Sequence, residues 1–363
     1  MLSFFTKPHL PVFIVDKNFI LNALFKSTIY RHFCAGEDVR EVKNTIINIK
    51  DMGFKGEVGV GVKELKEEGI LPQEPTFHEG IEARRQGVLE TASMLETGDF
   101  LALKFTGAGV GMKDALDTVC EKAMERKAGI LINAEQQFVQ PSINDIALSL
   151  MCRYNRGQAI VYNTYQAYLK STPSTLGHLH CAKDEGFTIG VKLVRGFYMD
   201  SESRGLIHNT TQQTDDAYNN IKEGLLQRQY QDLRPDGFPK VDLFLATHNK
   251  QSALHAYQVQ QQRAEAGLPL AKVQYGQLLG MADKVSCTLL QIAADPRANV
   301  PASPQVYKRL SWNTLGDCIS YLFRRAVENR DAVMRTKIEY YALRKDVWRR
   351  TKKAIRLGVA GKY

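Results

Sequence analysis

The stretch Tyr321-Leu-Phe-Arg324-Arg325-Ala-Val-Glu328-Asn329 sets two adjacent arginines and a carboxylate in an apolar, helix-forming context near the end of the chain. A guanidinium stays charged at any physiological pH and offers a planar fork of donors that fits a carboxylate at two points, which lysine cannot do. On a helix, Arg324 and Glu328 stand four residues apart on one face, so Glu328 can hold Arg324 while Arg325 reaches an anionic ligand. A solvated surface ladder has the same local pattern. The choice between them rests on the rest of the chain.

Polar and cationic groups recur in short clusters after apolar, β-forming runs: Lys104-Phe-Thr, Asn133-Ala-Glu135-Gln, Tyr165-Gln166-Ala-Tyr168, Lys192-Leu-Val-Arg195-Gly-Phe-Tyr198, Thr247-His248-Asn249 and Gly276-Gln277-Leu278-Leu279-Gly280-Met281. No carboxylate pair, nucleophile with adjacent base, or metal cluster stands out among them. His248 reads either as a base or as a hydrogen-bond donor to a ligand, and the second suits a histidine between Thr247 and Asn249. A site rich in Lys and Arg but poor in acid–base groups fits an organic cofactor that does the hard chemistry while the protein binds anions. Flavin meets that description, because its pyrophosphate needs cations and a cation near N1 or N5 supports the reduced ring. Gly107-Ala-Gly109-Val-Gly111-Met112 is a decoy, since a dinucleotide fingerprint requires Gly where Met112 stands. Its glycines read instead as a loop over the mouth of the site.

The elements that must position these groups alternate. Candidate strands are 57–62, 100–105, 129–133, 159–165, 188–195, 242–247, 271–275 and, weakly, 305–308; helical spacing covers 80–95, 113–126, 144–155, 164–182, 214–229, 252–266, 282–294 and 315–328. Eight strands with intervening helices and no strong linker predict an α/β fold, a distorted (β/α)8 barrel, whose chemistry sits at the strands' C-terminal ends. The alternative is a doubly wound sheet with a helical domain. The expected organisation is an N-terminal helical segment over 1–50, the barrel over 51–329 and a basic amphipathic helical tail over 330–363.

At 363 residues and 44% hydrophobic content, the chain can bury a core of barrel size, and it contains no apolar run long enough to span a membrane as a helix. Six scattered cysteines without a C-x-x-C pair read as reduced thiols packed in the core. The formal charge is +9, and from Arg330 onward eleven Lys/Arg face three Asp/Glu, so the basicity is a property of the tail. Such a tail packs on the domain or lies on an anionic membrane surface. Nothing in it matches a basic–aromatic nucleic-acid reader, so no nucleic-acid partner is expected. The N-terminal residues lack the Arg- and Ser-rich character of a transit peptide and leave targeting open.

Taken with Lys104-Phe-Thr-Gly, Tyr162-Asn-Thr-Tyr-Gln-Ala-Tyr, Ala246-Thr-His-Asn and Gln277-Leu-Leu-Gly-Met-Ala-Asp, the clusters above resemble the proline dehydrogenase (proline oxidase) family, in particular its fungal mitochondrial branch. The resemblance runs in order from about residue 20 to 350. It implies a barrel holding FAD, oxidation of L-proline to 1-pyrroline-5-carboxylate, electrons passed to a quinone, and a place at the mitochondrial inner membrane. Residue by residue it implies that Arg324 and Arg325 clamp the substrate carboxylate, with Lys104 as a third cation, Glu328 as support and Asn133 beside them. Lys192 falls near the flavin N5, with Gln166, Arg195, Thr247, His248 and Asn249 on the cofactor, and Tyr198 and Leu278 walling the substrate ring.

Three positions depart from the family pattern: Asn133 replaces a usual Asp, Phe197 a small Ala, and Arg309 a Tyr or small residue. The run 61–64 departs as well. Asparagine cannot neutralise Lys104, which predicts an uncompensated set of cations at the pocket. A diverged paralogue acting on hydroxyproline, or a catalytically weak membrane-surface protein on the same barrel, are the alternatives these departures leave open.

Overall fold

The computed structural model describes residues 18–60, 75–105, 112–196, 198, 202–295, 302–335 and 348, with side chains of 75–84, 112–115 and 326–335 excepted. Eight strands, β1 (Lys55–Val60), β2 (Phe100–Leu103), β3 (Gly129–Ile132), β4 (Val161–Gln166), β5 (Ile189–Val194), β6 (Val241–Ala246), β7 (Lys272–Leu278) and β8 (Gln305–Trp312), pair in sequence order into a closed parallel barrel. Closure comes from β1 on β8, in register from Lys55↔Tyr307 to Val60↔Trp312. Every residue of β2 and β4 is buried, as expected of parallel strands covered on both faces.

The barrel is filled below its mouth by an aromatic floor. Phe100 meets Tyr162, Phe244 and Tyr307 with ring centroids 5.3, 5.4 and 5.2 Å apart, edge to face in each case. Gly129 and Gly276 make room for it, since a β-carbon at either would stand 2.2 Å from the Phe100 ring or 2.4 Å from the Phe244 ring. The buried hydroxyls are not stranded: Tyr162 donates to Gln274 Oε1 at 3.0 Å, and Gln274 Nε2 donates to the Tyr307 oxygen at 3.1 Å. The larger apolar cluster lies between the strands and the helices outside.

Around the barrel run α3 (Val39–Asp51), α4 (Pro75–Met94), α5 (Met112–Glu125), α6 (Gln140–Tyr154), α7 (Thr172–Thr175), α8 (His178–Glu185), α9 (Thr211–Gln227), α10 (Lys250–Glu265), α11 (Asp283–Ala293) and α12 (Leu315–Arg335). Local chemistry sets several starts. Asp38 accepts the Glu41 N–H ahead of α3, and Thr210 with Gln213 forms a capping box ahead of α9. The helical pattern over 164–182 gives way, because β4 continues to Gln166 and only two short helices follow, α7 with Pro173 in its first turn and α8 after Gly177. The N-terminal segment is helical within 18–51: α1 (Phe19–Phe25) passes through a π turn over Lys26–Tyr30 into α2 (Arg31–Phe33), ahead of α3. Tyr30, Phe33 and Cys34 from this arm pack with Leu315, Cys318 and Leu322 of α12 in a separate apolar cluster. All six cysteines are free, but Cys287 is exposed and Cys152 and Cys181 only half-buried, so core packing describes Cys34, Cys120 and Cys318 alone. Among the described residues no helix is long and apolar enough to cross a membrane, and no cluster of potential metal ligands occurs.

Candidate active site

The C-terminal ends of the strands open onto one cavity of about 540 Å³. Lys104, Asn133, Gln166, Lys192, Arg195, Tyr198, Thr247, His248, Asn249, Leu278, Arg324 and Arg325 all line it. Glu328 lies on α12 one turn beyond the arginines, and its side chain is outside the described residues, as are Phe197, the run 61–64 and the glycines 107–111. Strand geometry explains most of the convergence: Lys104, Asn133, Gln166, Arg195, Thr247 and Leu278 sit at or just past the ends of their strands and Lys192 two residues before the end of β5, while α12, which follows β8, brings Arg324 and Arg325.

The charge balance departs from the expectation of uncompensated cations at two positions, because Lys104 and Lys192 each face a carboxylate. Lys192 rises from the aromatic floor, its Nζ 5.7 Å over the Phe244 ring, and is met by Glu57 Oε1 at 2.6 Å and by Asn133 Oδ1 at 3.2 Å. Burial lowers the Lys192 pKa and nearby Arg309 adds to that, while Glu57 opposes both by charge and hydrogen bond. Lys104 Nζ stands 3.8 Å from Glu135 Oε2, which also accepts the Tyr198 hydroxyl at 2.9 Å. The counter-charges are therefore Glu57 and Glu135, both buried. Asn133 serves Lys192 as a neutral acceptor at 3.2 Å.

Arg195 is fixed before any ligand arrives. Its Nε pairs with Asp215 at 2.5 Å, Nη1 donates to Thr247 Oγ1 at 2.7 Å, Nη2 donates to Ser252 Oγ at 3.0 Å, and the guanidinium lies 4.3 Å from the Tyr218 ring centre. Asn249 caps α10 through the Ser252 N–H at 3.0 Å, so its side chain has a structural duty beside any ligand contact. Gln166 Nε2 reaches the Glu135 carbonyl at 3.3 Å.

His248 does not stand as a charged group. It turns its exposed surface to the cavity, and its Nε2 accepts the Leu278 N–H at 3.3 Å, which assigns the ring proton to Nδ1. Desolvation within the cavity, then the fields of Arg325 and Lys308, push its pKa down to about 4. A neutral imidazole in this tautomer leaves its Nδ1–H available as a donor. Arg325 is almost fully buried, with its guanidinium 5.2 Å from the Tyr321 ring centre.

Glu57, Gln277, Arg309 and Tyr321 line the cavity without a role assigned from the sequence, which named Gln277 and Tyr321 only within clusters and Arg309 only as a departure. Glu57 left a signal, a lone carboxylate inside the β-run Lys-Gly-Glu-Val-Gly-Val, where burial demands a cation. Gln277 left a weaker one, because a polar residue inside an apolar strand end also fits an edge position.

Residues 43–337 match the family model described as "Proline dehydrogenase". Relatives include a probable mitochondrial proline dehydrogenase of Schizosaccharomyces pombe, 31% identical over 247 residues covering 64% of this chain and 49% of that protein. A hydroxyproline dehydrogenase of Xenopus laevis is 32% identical, covering 65% and 49%, and one of Mus musculus is 27% identical, covering 90% and 83%. The chain thus spans about half the length of the first two. Proline utilization A of Bdellovibrio bacteriovorus shares the fold, with a TM-score of 0.66 over 85% of this chain and 34% of that one at 17% identity. The barrel, the arginine-bearing helix that closes it and the matched 43–337 span agree, and the chain belongs to the proline dehydrogenase family.

Proposed function

We propose that this chain is an FAD-dependent dehydrogenase that oxidises L-proline to 1-pyrroline-5-carboxylate, with electrons passed on to a quinone. The observation that carries the reading is the convergence of Arg324, Arg325 and Lys104 on the cavity that also holds Lys192 and the fixed Arg195. The donor set fits FAD, because permanent cations and amide or hydroxyl groups at the ends of β4, β5 and β6 adjoin apolar walls. Gln166, Lys192, Arg195, Thr247, His248 and Asn249 would hold it. When bound, the flavin supplies the hydride acceptor that no protein side chain can provide.

The chain's own residues bind, orient and tune charge. Arg324 and Arg325 present forks to the substrate carboxylate and Lys104 adds a third positive charge. Tyr198 and Leu278 flank the ring, and Tyr198 is held by its bond to Glu135. The ring amine must be neutral when the bond between nitrogen and its neighbouring carbon is oxidised, and a cavity lined by cations disfavours the ammonium form. Glu328 would brace the arginines from the next turn of α12.

A second substrate, hydroxyproline, gains support from the Mus musculus relative, whose match covers most of both chains. The mitochondrial names of several relatives support that compartment. The basic tail would provide peripheral contact with the membrane where quinone resides.

Absorbance of the purified full chain tests the core of the proposal. A flavin band at about 450 nm that bleaches anaerobically with L-proline is expected; a colourless protein, or a flavin indifferent to proline and hydroxyproline alike, overturns it. Arg324→Lys and Arg325→Lys should keep the flavin and lose about 2–4 kcal/mol of transition-state binding. Equal kcat/KM in both variants and the parent would remove the clamp from the mechanism.

A further inference from the structure

Arg309 has no part in the roles above. It projects from β8 into the cavity beside Glu57 and Tyr321, and its side chain stays 16% exposed. Its guanidinium occupies a notch that only glycine leaves open, because a β-carbon at Gly59 would stand 2.5 Å from Nη1, 2.6 Å from Nη2 and 2.8 Å from the Ala102 carbonyl oxygen. The neighbouring strand therefore accommodates this head group where it lies.

Among the described residues, Arg309 Nη1 finds no hydrogen-bond partner. That atom is buried, and the Glu57 oxygen 3.9 Å away, a long ion-pair contact, is already engaged by Lys192 at 2.6 Å. Glu57 and Lys192 cancel one another, so Arg309 leaves this end of the cavity one positive charge in surplus. A cation withdrawn from water with an unmade hydrogen bond is costly, and an incoming anion removes both costs at once. A ligand hydroxyl would fill the bond but leave the charge. Arg325 stands over the Tyr321 ring, and the Tyr321 hydroxyl, whose pKa burial raises, feels the opposing fields of Arg325 and of Arg309.

We propose that Arg309 is a second anion site in this cavity, selecting a pyrrolidine carboxylate that bears a further carboxylate on its ring. The inference rests on the reading of the cavity as a pyrrolidine-carboxylate site, with Arg324 and Arg325 taking the first acid group. Arg309 would then determine specificity and take no part in the oxidation itself.

The test uses the flavin-loaded full chain, with L-proline, trans-4-hydroxy-L-proline and pyrrolidine-2,4-dicarboxylate as probes. Binding is followed by the change in flavin absorbance and turnover by anaerobic bleaching. The dicarboxylate should bind about 10-fold or more tighter than proline, and Arg309→Met should lower that ratio by about 10-fold or more. Arg309→Lys should fall between the two, because it keeps the charge and loses the fork; it also carries the test if the methionine variant does not fold. A dicarboxylate that binds the parent no better than proline, a ratio unmoved in the variants, or loss of flavin from them overturns the proposal. If no probe bleaches the flavin, the dehydrogenase reading fails, and the binding ratio still decides the role of Arg309.

Discussion

Lys192 and Glu57 show how much of the site depends on one buried pair. Lys192 is 6% exposed and Glu57 3% exposed, so each charge is tolerable only because the other is 2.6 Å away. Glu57→Gln should therefore cost about 3–5 kcal/mol of stability, toward the lower end because Asn133 still faces the lysine. Urea unfolding checks this, and a loss below about 1 kcal/mol would show that Lys192 finds another partner. His248 makes the site sensitive to acid. Its folded pKa of about 4 lies below the ordinary 6.5, so an unfolded chain binds a proton that the folded one refuses. The stability contributed by the neutral imidazole is complete above pH 6.5 and is lost as pH falls toward 4. His248→Gln should flatten the fall in Tm over that window, and an identical pH profile would place the sensitivity elsewhere. Lys104, Lys192 and Arg195 were legible in the sequence because they sit at or near strand ends, where polar residues stand out against apolar runs, and Arg324 and Arg325 because they stand as a pair in an apolar helical run. Their counter-charges were harder to read: Glu57 lies in mid-strand, and only closure of the barrel puts it opposite a lysine 135 residues away.

At the scale of elements, the strands were the most legible part. Buried on both faces, they are short β-rich runs between polar clusters, and all eight were located, with β8 extending four residues past the expected end because Leu310 and Trp312 are buried too. Helix α12 was expected for its apolar spacing, but its support was not: the arm of α1 and α2 that grips it packs few apolar side chains, and Phe19 and Ile20 of α1 are exposed. That support is small and separate from the main core, so it is the weak point in holding the arginine pair. Leu322 is 1% exposed and lies two and three residues before Arg324 and Arg325. Leu322→Ala should destabilise by about 2–5 kcal/mol through the void it leaves, and should lower kcat/KM for proline while the flavin stays bound. A variant as destabilised as expected but with unaltered kcat/KM would show that α12 is positioned by β8 alone.

For the whole molecule, the distribution of charge matters more than its total. Of the +9, a surplus of eight belongs to the last 34 residues, which leaves residues 1–329 close to neutral. Helix α12 runs on to Arg335, and Trp348 is helical and 63% exposed, while the other residues beyond 335 lie outside the described ones. A near-neutral barrel has little long-range attraction for a membrane, whereas each cation close to an anionic leaflet contributes about 1 kcal/mol. If the tail attaches the chain to a membrane, binding to phosphatidylserine vesicles should be strong at low salt and weak at high salt, because contacts of this kind are screened within a Debye length of about 10 Å at 0.1 M. Truncation after Arg335 should abolish flotation at low salt and leave flavin and proline turnover with a soluble acceptor in place. Flotation equal to that of the full chain would move the membrane contact to the barrel or the N-terminal arm. Loss of flavin on truncation would show instead that the tail packs on the domain and helps close the mouth of the barrel.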